Sequence, residues 1–255
     1  MRLVAWFKRA LLILTPWAFI VLAWYAVRAS GLINPGLIPA PHAVAGKAWE
    51  LFVQENLARD MWTSTRRVFV GVALGTACAV PVGFVLGWYK QVRAFIDPII
   101  NFFRALPPIA LIPLVIVYFG VDELAKVVIL FYASFFAGVI VMYEGIAQIS
   151  PLYVRVARTL GATDLEIFAK VIVPLTVPHI LTALRVALGV AWATLVASEL
   201  IAAQQGLGAL IQNASAYFLL DVIYVGIICI GLIALLMDLA LRRASARLVA
   251  WQERI

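Results

Sequence analysis

Arg185 and Glu199 both stand inside a long apolar run, residues 179–200. An uncompensated charge in a bilayer costs several kcal/mol, so ionisable groups at such positions serve binding, gating or pairing. The two are fourteen residues apart, about four helical turns. Gly189, Trp192 and Val196 fall on or near the line between them. That stripe can face a translocation path; alternatively, each charge snorkels to its nearer edge, Arg185 inward and Glu199 outward. Arg66 and Arg67 follow Thr63, Ser64 and Thr65 at the start of another apolar run. There they can draw an anionic solute by charge or simply anchor a membrane edge. No phosphate-cradling GxxxxGK[ST] and no zinc-spaced Cys/His set is present. His42 and His179 each follow a proline and read as interfacial anchors. Cys78 and Cys229 sit in apolar runs and read as packing residues. No nucleophile–base pairing stands out.

Such residues need a membrane around them, and the composition supplies one. Of 255 residues, 65% are hydrophobic and 13% charged, with a mean hydropathy of +1.02. A soluble domain needs more polar surface than that, so the chain reads as an all-α polytopic membrane protein. The net charge of +7 fits basic loops against anionic lipid better than nucleic acid. The basic start, residues 1–9, precedes an apolar run long enough to span and without an Ala-x-Ala cleavage context, which argues against a cleavable signal peptide.

One span takes roughly 20 apolar residues. Six are expected, at about residues 10–27, 68–88, 105–119, 126–143, 179–200 and 222–241. Residues 28–43, with Pro35, Pro39 and Pro41, read as irregular surface chain. Residues 45–56 read as an interfacial amphipathic helix, with Trp49, Leu51, Phe52 and Val53 opposite Lys47, Glu50, Gln54 and Glu55. Gly71, Gly75, Gly83 and Gly87 form a small-residue stripe on the second span, suited to close helix approach, and Pro81 is expected to kink or tilt it. Residues 89–104 read as a connector interrupted by Pro98. The third span is broken by Pro107, Pro108 and Pro113, and a tight turn follows at 120–124. Residues 201–220 read as an excursion, with a re-entrant segment at 206–212. Asp221 is expected to cap the last span and Asp238 to make an interhelical hydrogen bond. The inner segments hold Arg2, Lys8 and Arg9; Lys90, Arg93 and Arg104; Arg155, Arg158 and Lys170; and Arg242, Arg243, Arg247 and Arg254. That bias places both termini in the cytoplasm.

Between the fourth and fifth spans lies the longest polar-bearing interruption of the C-terminal half, residues 150–174. Ser150-Pro151 starts a helix and Gly161 stops it. Thr163 through Glu166 has capping-box spacing, and Pro174 is expected to end the second helix. The result is a hairpin with Gly161 and Ala162 at its tip. Arg155 and Arg158 share one face and can meet either a soluble partner or lipid headgroups.

The hairpin resembles the cytoplasmic "EAA" loop of ABC importer permeases, whose form is EAA, then Gly, then an Ile-x-Leu-Pro ending. The corresponding residues are Arg155-Val156-Ala157, Gly161 and Val171-Ile172-Val173-Pro174. Arg155 stands at the Glu position and Val156 at the first Ala. Arg158 and Leu160-Gly161-Ala162-Thr163 match the branch for nitrate, sulfonates and taurine, with its taurine members nearest. So do Leu106-Pro107-Pro108 through Phe119-Gly120, Leu184-Arg185 through Ala197-Ser198-Glu199-Leu200, and Gly206-Leu207-Gly208. The resemblance runs from about residue 33 to 251.

That resemblance implies a type I importer permease fold and one transmembrane domain, 1–255, with a cytoplasmic coupling loop at 144–178 and a periplasmic segment at 28–67. It implies a second permease copy, two ATP-binding cassette subunits, a periplasmic binding protein and the bilayer of a bacterial inner membrane as partners. ATP and Mg belong to the cassettes; this chain needs no cofactor and has no catalytic site. Coupling falls to Arg155, Val156, Ala157, Arg158, Thr159, Leu160, Gly161, Ala162 and Thr163. The residues read as the path are Arg66, Arg67, Arg185, Gly189, Trp192 and Glu199. The implied solute is taurine or a related sulfonate, with nitrate, bicarbonate or another organic acid as alternatives. An ion-gradient transporter would want paired mid-membrane carboxylates and an internal repeat; the sequence offers Glu199 and no repeat.

Overall fold

A computed structural model describes residues 2–31, 34 and 36–249. Pro35 and Arg254, and the ends of the resemblance at Ile33 and Trp251, lie outside the described residues. Every regular element among the described residues is helical: α1 (Arg2–Ala29), α2 (Pro41–Gln54), α3 (Leu57–Trp88), α4 (Lys90–Ala105), α5 (Pro108–Phe119), α6 (Glu123–Ala147), α7 (Pro151–Thr159), α8 (Asp164–Ile167), α9 (Val173–Ala202), α10 (Leu207–Ala216) and α11 (Leu220–Leu248). By length and composition α3, α6, α9 with the segment leading into it, and α11 can each cross a membrane. The pair α4 and α5, bent by 89°, makes a fifth span if counted as one; Leu14–Ala29 is a shorter apolar helix. Five of the six expected spans each fall on one helix; the third, 105–119, straddles the break between α4 and α5.

The chain divides into two compact units. The first comprises Met1–Ala58 and Leu210–Ile228. In it Trp24 stacks on Tyr224, with ring centroids 5.2 Å apart, and the Tyr25 hydroxyl meets His42 Nδ1 at 2.9 Å. Arg28 donates to the Ile38 carbonyl at 3.1 Å, tying the irregular segment after α1 back to that helix. On α2 Leu51 and Val44 are buried, while Trp49, Phe52 and Val53 are exposed. Those exposed apolar side chains fit the interfacial position that the sequence predicts. Lys47 pairs with Glu50 at 2.9 Å, and that carboxylate raises the lysine pKa. Asp221 accepts from the Val222 N–H at 3.0 Å in the first turn of α11.

The second unit comprises Arg59–Ala209 and Cys229–Ile255. Its core is Val68, Val72, Ile129, Leu130, Leu188, Trp192 and Leu195, closed by partly buried residues of α5 and α11. The glycine stripe sets the spacing of α3 against α6. A Cβ on Gly71 or Gly83 would strike the Cβ of Leu130 or Met142, and one on Gly75 would lie 2.6 Å from the Ser134 Cβ. Gly87 meets Ile146 in the same register, so the two helices run parallel with their backbones close. Gly83→Ala is accordingly expected to lower the unfolding midpoint in detergent. Its overpacking cost of about 1–3 kcal/mol exceeds the roughly 1 kcal/mol that Ala gains over Gly in a helix. Gly231→Ala, with nothing within 4 Å of the new Cβ, is expected to raise it.

Two proline expectations are corrected, those for Pro98 and Pro174. Pro98 lies inside α4, which runs on as an amphipathic helix. The break falls instead at Leu106-Pro107, where both residues are extended. Pro81, expected to kink or tilt its span, lies within α3. Pro174 does not end the hairpin's second helix. A π turn, Phe168–Ile172, follows α8 and leads directly into α9, with Pro174 in its first turn. The wider turn carries the Val173 N–H to the Phe168 carbonyl, so the ladder shifts register just where proline removes a donor.

Candidate functional site

At the end of the second unit where α3 begins and α9 finishes, a charged cluster has its inner pair, Arg67 and Glu199, shut away from solvent. The Glu199 side chain is 0% exposed and that of Arg67 3%. Arg67 Nη1 donates to Glu199 Oε1 at 2.6 Å and to the Gln205 carbonyl at 2.7 Å. Its Nε donates to Glu123 Oε2 at 2.9 Å, and its Nη2 also pairs with Glu123. One planar guanidinium thus joins α3, α6, α9 and the loop after α9, a task its fixed fork suits. Ser64 donates to both Glu199 oxygens at 2.8 and 2.9 Å.

The Gly206-Leu207-Gly208 stretch is held by the same groups. Gly206 N–H donates to Asp60 at 2.8 Å, Leu207 N–H to Ser64 at 2.9 Å, and Gly208 N–H to Glu199 at 2.9 Å. These N–H groups open α10, so acceptors and negative charge stand where a helix start wants them. Glycine is required twice. Gly206 has φ +118, and a Cβ on Gly208 would lie 2.5 Å from the Glu199 Cβ. A cavity of about 270 Å³ opens beside the cluster, lined by Arg67, Asp122, Glu123, Lys126, Gln204 and Gln205.

Of the residues read as a path, Arg67 and Glu199 are brought together. Arg66 is exposed, 3.7 Å from Glu123. Arg185 pairs with Asp238 on α11 at 2.6 Å, the interhelical bond expected of Asp238. Gly189 is exposed. Trp192 is buried in the core, with no acceptor for its indole N–H among the described residues. Asp60, Ser64, Glu123, Lys126 and Gln205 escaped the sequence reading as site residues. Glu123 and Lys126 lie at the turn before α6, 56 and 59 residues along the chain from Arg67, and no local pattern joins them to it. Among the described residues no three His, Cys, Asp or Glu side chains could hold a metal ion.

At the opposite ends of α6 and α9 lies the hairpin. Ser150 Oγ accepts from the Leu152 N–H at 3.3 Å, starting α7. The helix ends in a Schellman pattern: Ala162 N–H reaches the Ala157 carbonyl at 3.1 Å and Gly161 N–H the Arg158 carbonyl at 3.0 Å. Gly161 has φ +82. The Thr163 side chain accepts from Glu166 N–H at 3.3 Å, and Glu166 accepts from Thr163 N–H at 3.1 Å, completing the capping box that the spacing predicts. Arg158 closes the hairpin on Asp164 at 3.0 Å. Inward, Val154, Ala157, Ala162 and Ile167 pack on Met142, Ile146 and Ala183. Outward, Leu152, Val156, Leu160 and Leu165 are exposed, as are Arg155 and Thr159. Thr163→Ala is expected to destabilise the α8 start by about 0.5–2 kcal/mol, seen as faster amide exchange at residues 164–167 with the bundle unchanged.

A helical hairpin on a membrane bundle is compatible with several transporter types; the sequence families separate them. Residues 65–250 match the model of the family described as "Binding-protein-dependent transport system inner membrane component". The chain belongs to that family. The permease is 46% identical over 231 residues to a probable ABC transporter permease protein of Brucella abortus (strain 2308), with 91% of each chain covered. It is 35% identical over 239 residues to the taurine transport system permease protein TauC of Escherichia coli (strain K12), covering 92% of this chain and 87% of that one. A chain of the inward-facing MetNI methionine ABC transporter shares the fold, with a TM-score of 0.64 at 20% identity over 75% of the permease and 95% of that chain. The Arg67–Glu199 pair and the α7–α8 hairpin both fall within the family match, at opposite ends of α6 and α9.

Proposed function

We propose that the permease forms the membrane path of an ATP-driven importer for a small sulfonate, taurine or a close relative, and that the hairpin is where the energy enters. The observation that carries this is the hairpin's division of labour. Its inner side is packed into the bundle by Val154, Ala157, Ala162 and Ile167. Its outer side leaves Leu160, 82% exposed, with Val156 and Leu152, as an unpartnered apolar knob. Arg155 beside it supplies charge for an acidic groove. A rigid knob continuous with α9 transmits a push to the bundle without first being ordered.

In this reading residues 1–255 act as one permease domain in a bacterial inner membrane, with both termini and the loop 144–178 cytoplasmic and the segment 28–67 periplasmic. Two copies pair, and two cassette subunits bind ATP and Mg. A periplasmic binding protein delivers solute to the end bearing Arg66, Arg67 and Glu199. Cassette closure draws the hairpins together, and α3 and α6, locked by their glycine contacts, move as one body. The apolar residues left exposed on α5 and α11, among them Val117, Tyr118, Leu232 and Leu236, have lipid or the second copy to cover them. Nucleic acid plays no part.

Proteoliposomes holding the permease and co-expressed cassettes test this reading. ATPase activity stimulated by a loaded binding protein, with ATP-dependent uptake of taurine, is expected. Uptake by the permease alone, driven by a proton or sodium gradient, would refute it. Uptake of nitrate, bicarbonate or another organic acid instead would keep the importer and change the solute.

A further inference from the structure

A second charged group lies far from the Arg67 cluster. A cavity of about 430 Å³ opens between α9 and α11, with Thr182 and Arg185 on one wall and Arg242 and Ser245 on the other. Asp238 stands between the two arginines. Its Oδ1 accepts from Arg185 Nε at 2.6 Å and its Oδ2 from Arg242 Nε at 2.8 Å. Each guanidinium therefore uses its Nε edge on the shared carboxylate. No hydrogen bond from the Nη1 or Nη2 of either is found among the described residues. One carboxylate facing two guanidiniums leaves a net positive charge, and among the described residues the cavity wall carries no acid to cancel it. Thr182 spends its proton on the Pro178 carbonyl at 2.9 Å. The Ser245 hydroxyl has no hydrogen-bond partner among the described residues and can donate into the cavity.

We propose that this cavity is an anion site for a sulfate-, sulfonate- or phosphate-type group, held by the free Nη edges of Arg185 and Arg242 with Ser245. Asp238 is the positioning residue that holds the two guanidiniums at a fixed separation. Such groups offer three oxygens, and paired guanidiniums meet them with parallel charge-assisted bonds. The site is independent of the solute proposed above. It lies on α9 towards the hairpin end, so the group comes either from an anionic lipid headgroup of that leaflet or from a free anion in the aqueous phase.

The test uses the full permease in nanodiscs. Native mass spectrometry counts phosphatidylglycerol retained against phosphatidylcholine, and equilibrium dialysis with labelled inorganic sulfate, in phosphatidylcholine discs, measures free-anion binding. Wild type is expected to hold one ligand in one of the two arms, and the arm identifies the source. Arg242→Gln is expected to weaken that binding about tenfold, with Arg242→Lys falling between, since it keeps the charge and loses the fork. Ser245→Leu removes the hydroxyl and sets an apolar side chain into the cavity without touching the Asp238 pair. It is expected to abolish binding while leaving the unfolding midpoint unchanged, which guards against a misfolded arginine variant. Retention of neither probe by wild type, or equal binding by wild type and Ser245→Leu, would overturn the proposal.

Discussion

Arg67→Met is expected to destabilise the permease by about 3–5 kcal/mol, the cost of leaving a buried charge without its partner. The charge left behind is Glu199, fully buried and otherwise held, among the described residues, by the neutral donors Ser64 and the Gly208 N–H. The same change frees the Gln205 carbonyl. Glu123, about half exposed, returns to solvent at little cost. A double variant, Arg67→Met with Glu199→Gln, is expected to recover much of the loss. The glutamine oxygen still accepts from Ser64 and Gly208, and no buried charge remains. Arg67→Lys is expected to fall between, because an ammonium cannot present the fork that reaches Glu199, Glu123 and Gln205 together. Denaturation midpoints in detergent check the series. A single variant as stable as wild type would mean that the cluster does not hold α3, α6 and α9 together.

Leu160→Glu is expected to break the complex while sparing the fold. The side chain is 82% exposed, and neither the Schellman bonds nor the Thr163–Glu166 capping box involves it, so the unfolding midpoint stays where it was. An apolar anchor at the centre of an interface contributes about 2 kcal/mol or more, about thirtyfold in affinity, and a carboxylate there adds a desolvation cost. Co-purification with the cassettes and ATPase stimulation by the binding protein should fall together. Thr159, exposed on the same hairpin with its hydroxyl satisfied by the Val156 carbonyl, gives a milder comparison as Thr159→Ala.

The hairpin was legible in the sequence because its signals are local. Ser150-Pro151, Gly161 and the Thr163–Glu166 spacing each act within four residues, and each does in the fold what its chemistry dictates. The glycine stripe of α3 was legible as a close approach, although its partner α6 was not named by any pattern. The Arg67 cluster was hidden because its members are joined across 56, 132 and 138 residues of chain, and a single sequence carries no record of which distant charge meets which. Glu199 therefore read as sharing a stripe with Arg185 on its own helix, and not as the partner of Arg67. Pro98 and Pro174 misled for another reason. A proline announces a missing donor, but an amphipathic face or a π turn can carry a helix past it, and which occurs is decided by the packing on either side.

The proposed coupling brings motion into the permease through the tip of the α7–α8 hairpin. Its most direct measurement places a single cysteine at the tip, Leu160→Cys, after Cys78 and Cys229 are replaced by alanine, and follows cross-linking to the cassette subunit in membranes with and without trapped ATP. A cross-link to the cassette whose yield changes between the two nucleotide states is expected, with the cysteine labelled only by reagents that reach the cytoplasm. Labelling from the periplasmic side, or full ATP-driven import with the tip bound to nothing, would contradict it.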